Sequence, residues 1–166
     1  MTDVAHGIKG GRHKARRSAV QALYQWQVTQ QPPGDIESHF LADNMLDDAD
    51  LDYFRHLVRE IPHCLLRLDE QLAPHVDRAI GEVDPVERAI LRLGAFELMF
   101  HPEIPYRVVL NEAVELAKTY GAEHGHKYIN AVLDKVAQDV RPAEISESIR
   151  SHQRTNSPSP SGRGTG

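Results

Sequence analysis

The chain holds a single cysteine, Cys64, among 166 residues. That excludes an internal disulfide framework and suits a reducing compartment. No apolar run approaches the ~20 residues of a membrane span, and residues 1–11 lack the apolar stretch of a secretion signal, so an intracellular protein is the expectation. Strand signals are nearly missing: there is no extended alternation of β-branched residues and no Asn-Gly hairpin turn. The phosphate loop GxxxxGK(S/T), the nucleophile elbow GxSxG, the zinc helix HExxH and the dinucleotide loop GxGxxG are all absent. Ten histidines invite a metal, but no two stand three or four residues apart, and one cysteine cannot supply a Cys pair. His124-Gly125-His126 is the densest pair. The expectation is therefore no catalytic residue, no metal and no cofactor.

What the chain does have is length for one compact domain or two small packed halves, and an uneven charge. Lys9, Arg12, Lys14, Arg16 and Arg17 face only Asp3 within residues 1–17, a net of +4, which leaves −9 for the remainder of a chain whose total is −5. An acidic body with a basic leading end fits an anionic partner bound at one end, or equally a solvated tail.

Three zones follow from patterning. Residues 1–12 are rich in Gly, His and Lys/Arg without periodicity and read as a flexible arm. Residues 13–142 read as a folded all-α domain. Residues 143–166 thin out in apolar side chains and end in Ser, Pro and Gly, a composition expected to stay disordered. In the central zone Ala15, Ala19, Ala22, Leu23 and Trp26 share one helical face, with Lys14, Arg17, Ser18, Gln21 and Gln25 opposite. A short helix follows Asp35, and the acidic stretch 43–52 reads as a solvated loop because it lacks the Gly and Glu of a calcium loop. Apolar residues from Leu51 to Leu72 recur at helical spacing, and Pro62 should kink or break this helix. A further helix is expected from Pro74 to Ile80, stopped by Gly81. Asp84-Pro85-Val86-Glu87 combines an N-cap, a first-turn proline and a capping-box glutamate. Pro105 opens the next helix, Gly121 stops it, and a last one carries Tyr128, Ile129, Val132, Leu133, Val136 and Val140. About seven helices joined by Pro/Gly turns make an all-α bundle.

Two clusters could carry binding. In Arg12-His13-Lys14-Ala15-Arg16-Arg17 the cations crowd the start of a helix, where the macrodipole disfavours them unless an anion offsets it. Arginines pair with phosphates and stack on exposed bases, which suits single-stranded RNA. The stretch 121–128 joins two helices and combines a turn, Lys127 and the ring of Tyr128. Taken alone, that ring reads better as the first core residue of its helix.

Four collinear segments resemble the NusB family of bacterial transcription antitermination factors: Ala19 to Gln27, Val86 to Arg92, Val108 to Lys118 with Pro105-Tyr106 before it, and Lys127 to Asp134. The resemblance spans about residues 12–142. It implies an all-α fold of two packed three-helix subdomains with a seventh helix. It also implies a partner, NusE, a small-subunit ribosomal protein, with which family members bind boxA RNA and join RNA polymerase and other Nus factors, notably on ribosomal RNA operons. Neither catalysis nor a membrane is implied, and homo-oligomer formation stays open. Carried over by position, Arg12, Lys14, Arg16, Arg17, Lys118, His124, Lys127 and Tyr128 are the expected RNA-facing residues. His13 stands where an arginine is common, Tyr128 where phenylalanine is, and His124 in place of an acid. Tyr24, Glu82, Glu87 and Arg92 are the expected partner-facing residues. Two rival readings remain at this level: an RNA-binding domain like the front domain of ribosomal RNA cytosine methyltransferases, and a metal-binding helical bundle.

Overall fold

The structure is a computed structural model that describes residues 2–43, 46–120 and 125–156, with side chains from residue 10 to residue 155. Eight helices stand in chain order among them: α1 (Thr2–Thr29), α2 (Pro33–Ala42), α3 (Leu51–His63), α4 (Leu65–Leu72), α5 (Pro85–Phe100), α6 (Tyr106–Thr119), α7 (Gly125–Val140) and α8 (Pro142–Asn156). No strand occurs among the described residues. α1, α2 and α3 pack on one another, as do α5, α6 and α7. α1 lies along α5 and joins the two triplets, and α4 rests on α5 and α7. The all-α fold of two packed three-helix subdomains is thus present, with one helix more than expected.

The apolar stripes explain the packing. Ala15, Ala19, Ala22 and Leu23 bury completely or nearly so, and small residues at three of these positions let α1 lie close to its neighbours. Phe54, Leu57 and Ile61 of α3 join Leu91 and Leu98 of α5, and Leu116, Ile129 and Leu133 behind them, in one continuous core. At Gly94 the approach of α7 is so close that a Cβ would stand 2.6 Å from Leu133 Cδ1. Asp84 caps α5 as its motif requires, accepting from the amides of Val86 and Glu87 at 3.0 and 3.2 Å.

Four local expectations need correction. α1 begins at Thr2 rather than after a flexible arm, and Gly11 is a packing residue: its carbonyl accepts from Asp50 N at 2.9 Å, and a Cβ there would meet that nitrogen at 3.2 Å. The 43–52 stretch is more than a solvated loop, since Asp50 caps α3 through Tyr53 N and Leu46 is buried. The helix expected from Pro74 to Ile80 is absent. Two short 3-10 turns, Ala73–His75 and Ile80–Glu82, stand there, because within residues 73–83 only Val83 is buried deeply enough to anchor an element. Pro62 sits in the last turn of α3 instead of ending it; the break falls at Cys64, whose amide turns back to Glu60 and Ile61.

The expected disordered zone also starts too early, because residues 142–156 form α8. Its anchor is Arg141, 7% exposed, whose guanidinium donates to the carbonyls of Glu97, Leu98, His101 and Ile104 at 2.8 to 3.2 Å. One side chain thereby gathers four carbonyls at and beyond the end of α5, two of which, Glu97 and His101, also accept from the amides of His101 and Ile104. Glu144 accepts from Arg141 at 2.7 Å and from Tyr106 N at 2.9 Å, supplying the side-chain cap that Pro105 cannot give α6. Residues 157–166 lie outside the described residues.

Candidate nucleic-acid interface

The exposed face of α1 repeats at i, i+3, i+4: Lys14, Arg17, Gln21, Tyr24 and Val28. It changes chemistry halfway. Lys14 and Arg17 are exposed cations, whereas Tyr24 and Val28 are apolar side chains left 41% and 55% exposed. The end of α6 is tied to the cationic half. Tyr120 Oη donates to the carbonyl of Arg17 at 2.8 Å and accepts from Gln21 Nε2 at 2.9 Å. This contact across 103 residues brings the last turn of α6, with exposed Lys118, to the Arg17–Gln21 turn. Lys14, Arg17, Ser18, Gln21 and Asp47 line a groove of about 300 Å³.

The cations here are only loosely held. Lys14 Nζ lies 3.6 Å from Asp48, whose side chain is itself 86% exposed. Lys118 Nζ stands 3.9 Å from Glu115 in an exposed pair. Such pairs contribute little stability and yield readily to a phosphate. Arg12 sits over the Tyr53 ring, 4.6 Å from its centroid, and 4.0 Å from Asp50. His13, the replacement for a common arginine, points instead at Glu112, with Nδ1 2.7 Å from Oε2.

Two expected site residues belong elsewhere. Arg16 is 4% exposed, and its Nε donates to both oxygens of Glu97 at 2.9 and 3.2 Å. Glu97 is completely buried and also accepts from Tyr53 Oη. Burial works against the Arg16 charge, yet Glu97, Tyr53 and Glu112 more than restore it, and its pKa ends above the ordinary value. Arg16 is therefore an internal ion-pair partner and not an RNA-facing cation. Arg92, 7% exposed, likewise faces inward: Nε and Nη2 each reach Asp69 at 2.9 Å and Nη1 reaches Gln27 at 2.9 Å. It clamps α5 to α4 and α1, with its hydrogen-bonding groups engaged inside the molecule.

The start of α7 carries the second cluster. Lys127 is exposed and Tyr128 half-buried, its hydroxyl donating to Asp77 at 3.1 Å. Hydrogen bonds from Arg78 and Tyr128 hold Asp77 down to about 2. The expected α6 stop at Gly121 and the candidate His124 lie outside the described residues. Among the partner-facing candidates Glu82 is exposed and Glu87 half-buried, its carboxyl raised by burial and by Asp84. Among the described residues no three His, Cys, Asp or Glu converge as a metal site would require, and no helix is long and apolar enough to cross a membrane.

The bundle thus carries a loosely compensated cationic face that runs into an apolar one along α1. Its relatives are specific. The NusB family model matches residues 13–138. The transcription antitermination protein NusB of Nitrosococcus oceani is 54% identical over 147 residues, covering 87% of this chain and 97% of that protein. The protein of that name from Pasteurella multocida is 49% identical over 138 residues, 82% and 96% of the two chains. Among solved structures, T. maritima NusB superposes with a TM-score of 0.69 at 27% identity over 81% of this chain and 96% of its own. NusB in a crystal structure with NusE and dsRNA superposes with 0.70 at 27% identity, over 76% and 96%. The chain belongs to the NusB family.

Proposed function

We propose that this protein is a cytoplasmic transcription antitermination factor that binds boxA-type single-stranded RNA as a heterodimer with NusE and joins RNA polymerase with the other Nus factors. Its activity is binding, as the family's is; no bond is made or broken. The observation that carries the RNA reading is the Tyr120–Arg17 tie, which sets Lys118 of α6 beside the Lys14–Arg17 face of α1. Arg12, Lys127 and Tyr128 extend this surface, with cations for phosphates and a ring for an unstacked base. Tyr24 and Val28 continue the same ridge as an apolar face, and Glu87 and Glu82 add acids suited to a basic ribosomal protein. RNA and protein partners are then neighbours along one helix, so each can add contacts to the other's complex.

Each phosphate neutralised on a single strand contributes a log-log salt slope of about −0.7. The five cations Lys14, Arg17, Lys118, Arg12 and Lys127 give a slope of about −3.5, which makes the isolated protein a weak, salt-sensitive binder. The test is fluorescence anisotropy of labelled boxA RNA, a scrambled RNA and a duplex, with and without NusE, at two salt concentrations. Tighter binding of boxA with NusE, steeply weakened by salt, is expected. Equal binding of all three RNAs with NusE present, or indifference to salt, refutes the reading.

A further inference from the structure

One hollow at the C-terminal end of α1 remains unassigned. About 390 Å³ in volume, it is lined by Trp26, Gln27 and Gln30 of α1, Leu65 of α4, and Arg88 and Arg92 of α5, with no acid among them. The two arginines stand one helical turn apart and differ in what they hold. Arg92 grips a carboxylate across its Nε–Nη2 edge, with Asp69 oxygens 2.9 Å from each nitrogen. Arg88 has only a carbonyl: Nη1 donates to Gly81 O at 2.8 Å, and Nε is buried without a hydrogen-bond partner among the described residues. Burial, with Arg92 beside it, holds the Arg88 pKa below its ordinary value, and the opposing pull of Asp69 and Asp84 does not restore it. Both of those acids are engaged elsewhere, Asp69 on Arg92 and Asp84 on the amides that open α5. A buried guanidinium N–H left unpaired costs stability that an acceptor arriving with a ligand restores.

We propose that Arg88 receives one carboxylate side chain of the protein partner, in the two-bond geometry that Arg92 already gives Asp69, with the acid's aliphatic stem against Trp26 and Leu65. The inference rests on the partner-binding reading above and names the contact that fixes the register of the two chains. Three observations select a protein acid over an RNA phosphate. Gln27 follows Tyr24 by one turn of α1, so the hollow opens beside the Tyr24–Val28 ridge. Arg88 is bonded through Gly81 to the turn Ile80–Glu82, whose Glu82 is exposed, and Glu87 is its chain neighbour. Those acids repel a phosphodiester strand, whereas a folded protein can bring cations to them and a single carboxylate to Arg88. The cationic face lies apart from the hollow, since Arg17 and Gln30 are about 20 Å apart along the helix at ~1.5 Å per residue.

The test is a double-mutant cycle read by isothermal titration calorimetry. Each Asp and Glu of NusE is changed singly to Asn or Gln and titrated, without RNA, against the wild-type chain, Arg88→Gln and Arg88→Lys. One NusE position is expected to cost the wild type roughly tenfold to a hundredfold in Kd, the range of a charged hydrogen bond, and Arg88→Gln under about twofold. Arg88→Gln should bind unaltered NusE with the same loss, and Arg88→Lys, which keeps the charge without the planar fork, should recover only a small part of it. Arg88 gives the fold one bond to a short turn and stands beside a like charge, so both variants should keep the wild-type melting temperature, measured by circular dichroism. If Arg88→Gln binds NusE within about twofold of the wild type, or no NusE acid couples to Arg88, the hollow takes no partner carboxylate. If Arg88→Gln instead weakens binding of boxA RNA with NusE absent, the hollow belongs to an RNA phosphate and the proposal is overturned. Failure of the wild type to bind NusE is a different result, one that removes the partner reading itself.

Discussion

Arg16→Ala separates a structural cation from a binding one. Arg16 and its neighbour Arg17 stand side by side in the sequence, yet one is buried against Glu97 and the other is exposed. Truncating Arg16 leaves a completely buried carboxylate with Tyr53 Oη as its remaining close donor. Breaking a buried pair by removing one partner costs about 3–5 kcal/mol. Against the ~5–15 kcal/mol that separates a folded domain from its unfolded chain, that is a large fraction. At roughly 2–4 °C per kcal/mol for a chain of this size, the melting temperature should fall by about 6–20 °C. Urea unfolding followed by circular dichroism and by Trp26 fluorescence measures the loss directly. Arg17→Ala should stay within about 0.5 kcal/mol of the wild type while weakening RNA binding and lowering the salt slope by about 0.7. The combined change Arg16→Met, Glu97→Leu and Tyr53→Phe replaces the buried charges with apolar groups and should recover most of the loss. The reasoning fails if Arg16→Ala unfolds within about 1 kcal/mol of the wild type while RNA affinity collapses.

Three further outcomes follow from the same contacts. His56 is held below its ordinary value by burial and by His101, whose Nε2 lies 2.8 Å from its own, while Glu60 and Glu103 oppose the shift and Arg12 adds to it. The unfolded chain then binds the proton more readily. The contribution of His56 is intact above about pH 6.5 and is lost as pH falls through the folded value. Melting curves from pH 7.5 to 5.5 should show this decline, and His56→Gln should flatten it. Tyr128→Phe removes one exposed hydrogen bond to Asp77 and should change stability by no more than about 1 kcal/mol with RNA binding kept, whereas Tyr128→Ala should weaken RNA binding; equal affinities for the two would remove the ring from the interface. Gly94→Ala drives a methyl group into Leu133 and should cost about 1–3 kcal/mol in urea unfolding.

Periodicity carried most of the helices because apolar residues recur on faces that all meet one core, and Asp84-Pro85-Val86-Glu87 announced its helix start in side-chain chemistry alone. The region around Pro74 did not follow, since a proline able to open a helix does not make one where the chain has little to bury. Arg16 and Arg92 were misplaced for a different reason. Arg16 was read as surface from its place in the basic run and Arg92 from its position in the family resemblance, but Arg16 falls in phase with Ala19, Val20 and Leu23, and Arg92 with Ala89, Ala95 and Phe96, all buried. That phase was a readable signal; their partners Glu97 and Asp69, 81 and 23 residues away, were not. The same holds for Tyr120 and Gln21, whose role in bringing α6 to Arg17 depends on a contact no local pattern encodes. Asp48 and Asp50 belong to this group as well, joining the acidic stretch to the Arg12–Lys14 turn within α1.

The carboxylate at Glu144 has a consequence for the order in which the molecule completes itself. It closes the amide end of a helix that lies 38 residues earlier in the chain. At ~5–20 residues/s of synthesis, Tyr106 is made about 2–8 s before Glu144 exists. Through that interval the amide end of α6 is open, and so is the end of α5 that Arg141 later closes. The vectorially growing chain thus finishes its second triplet from behind, with a later segment acting as the latch that holds two earlier helices shut.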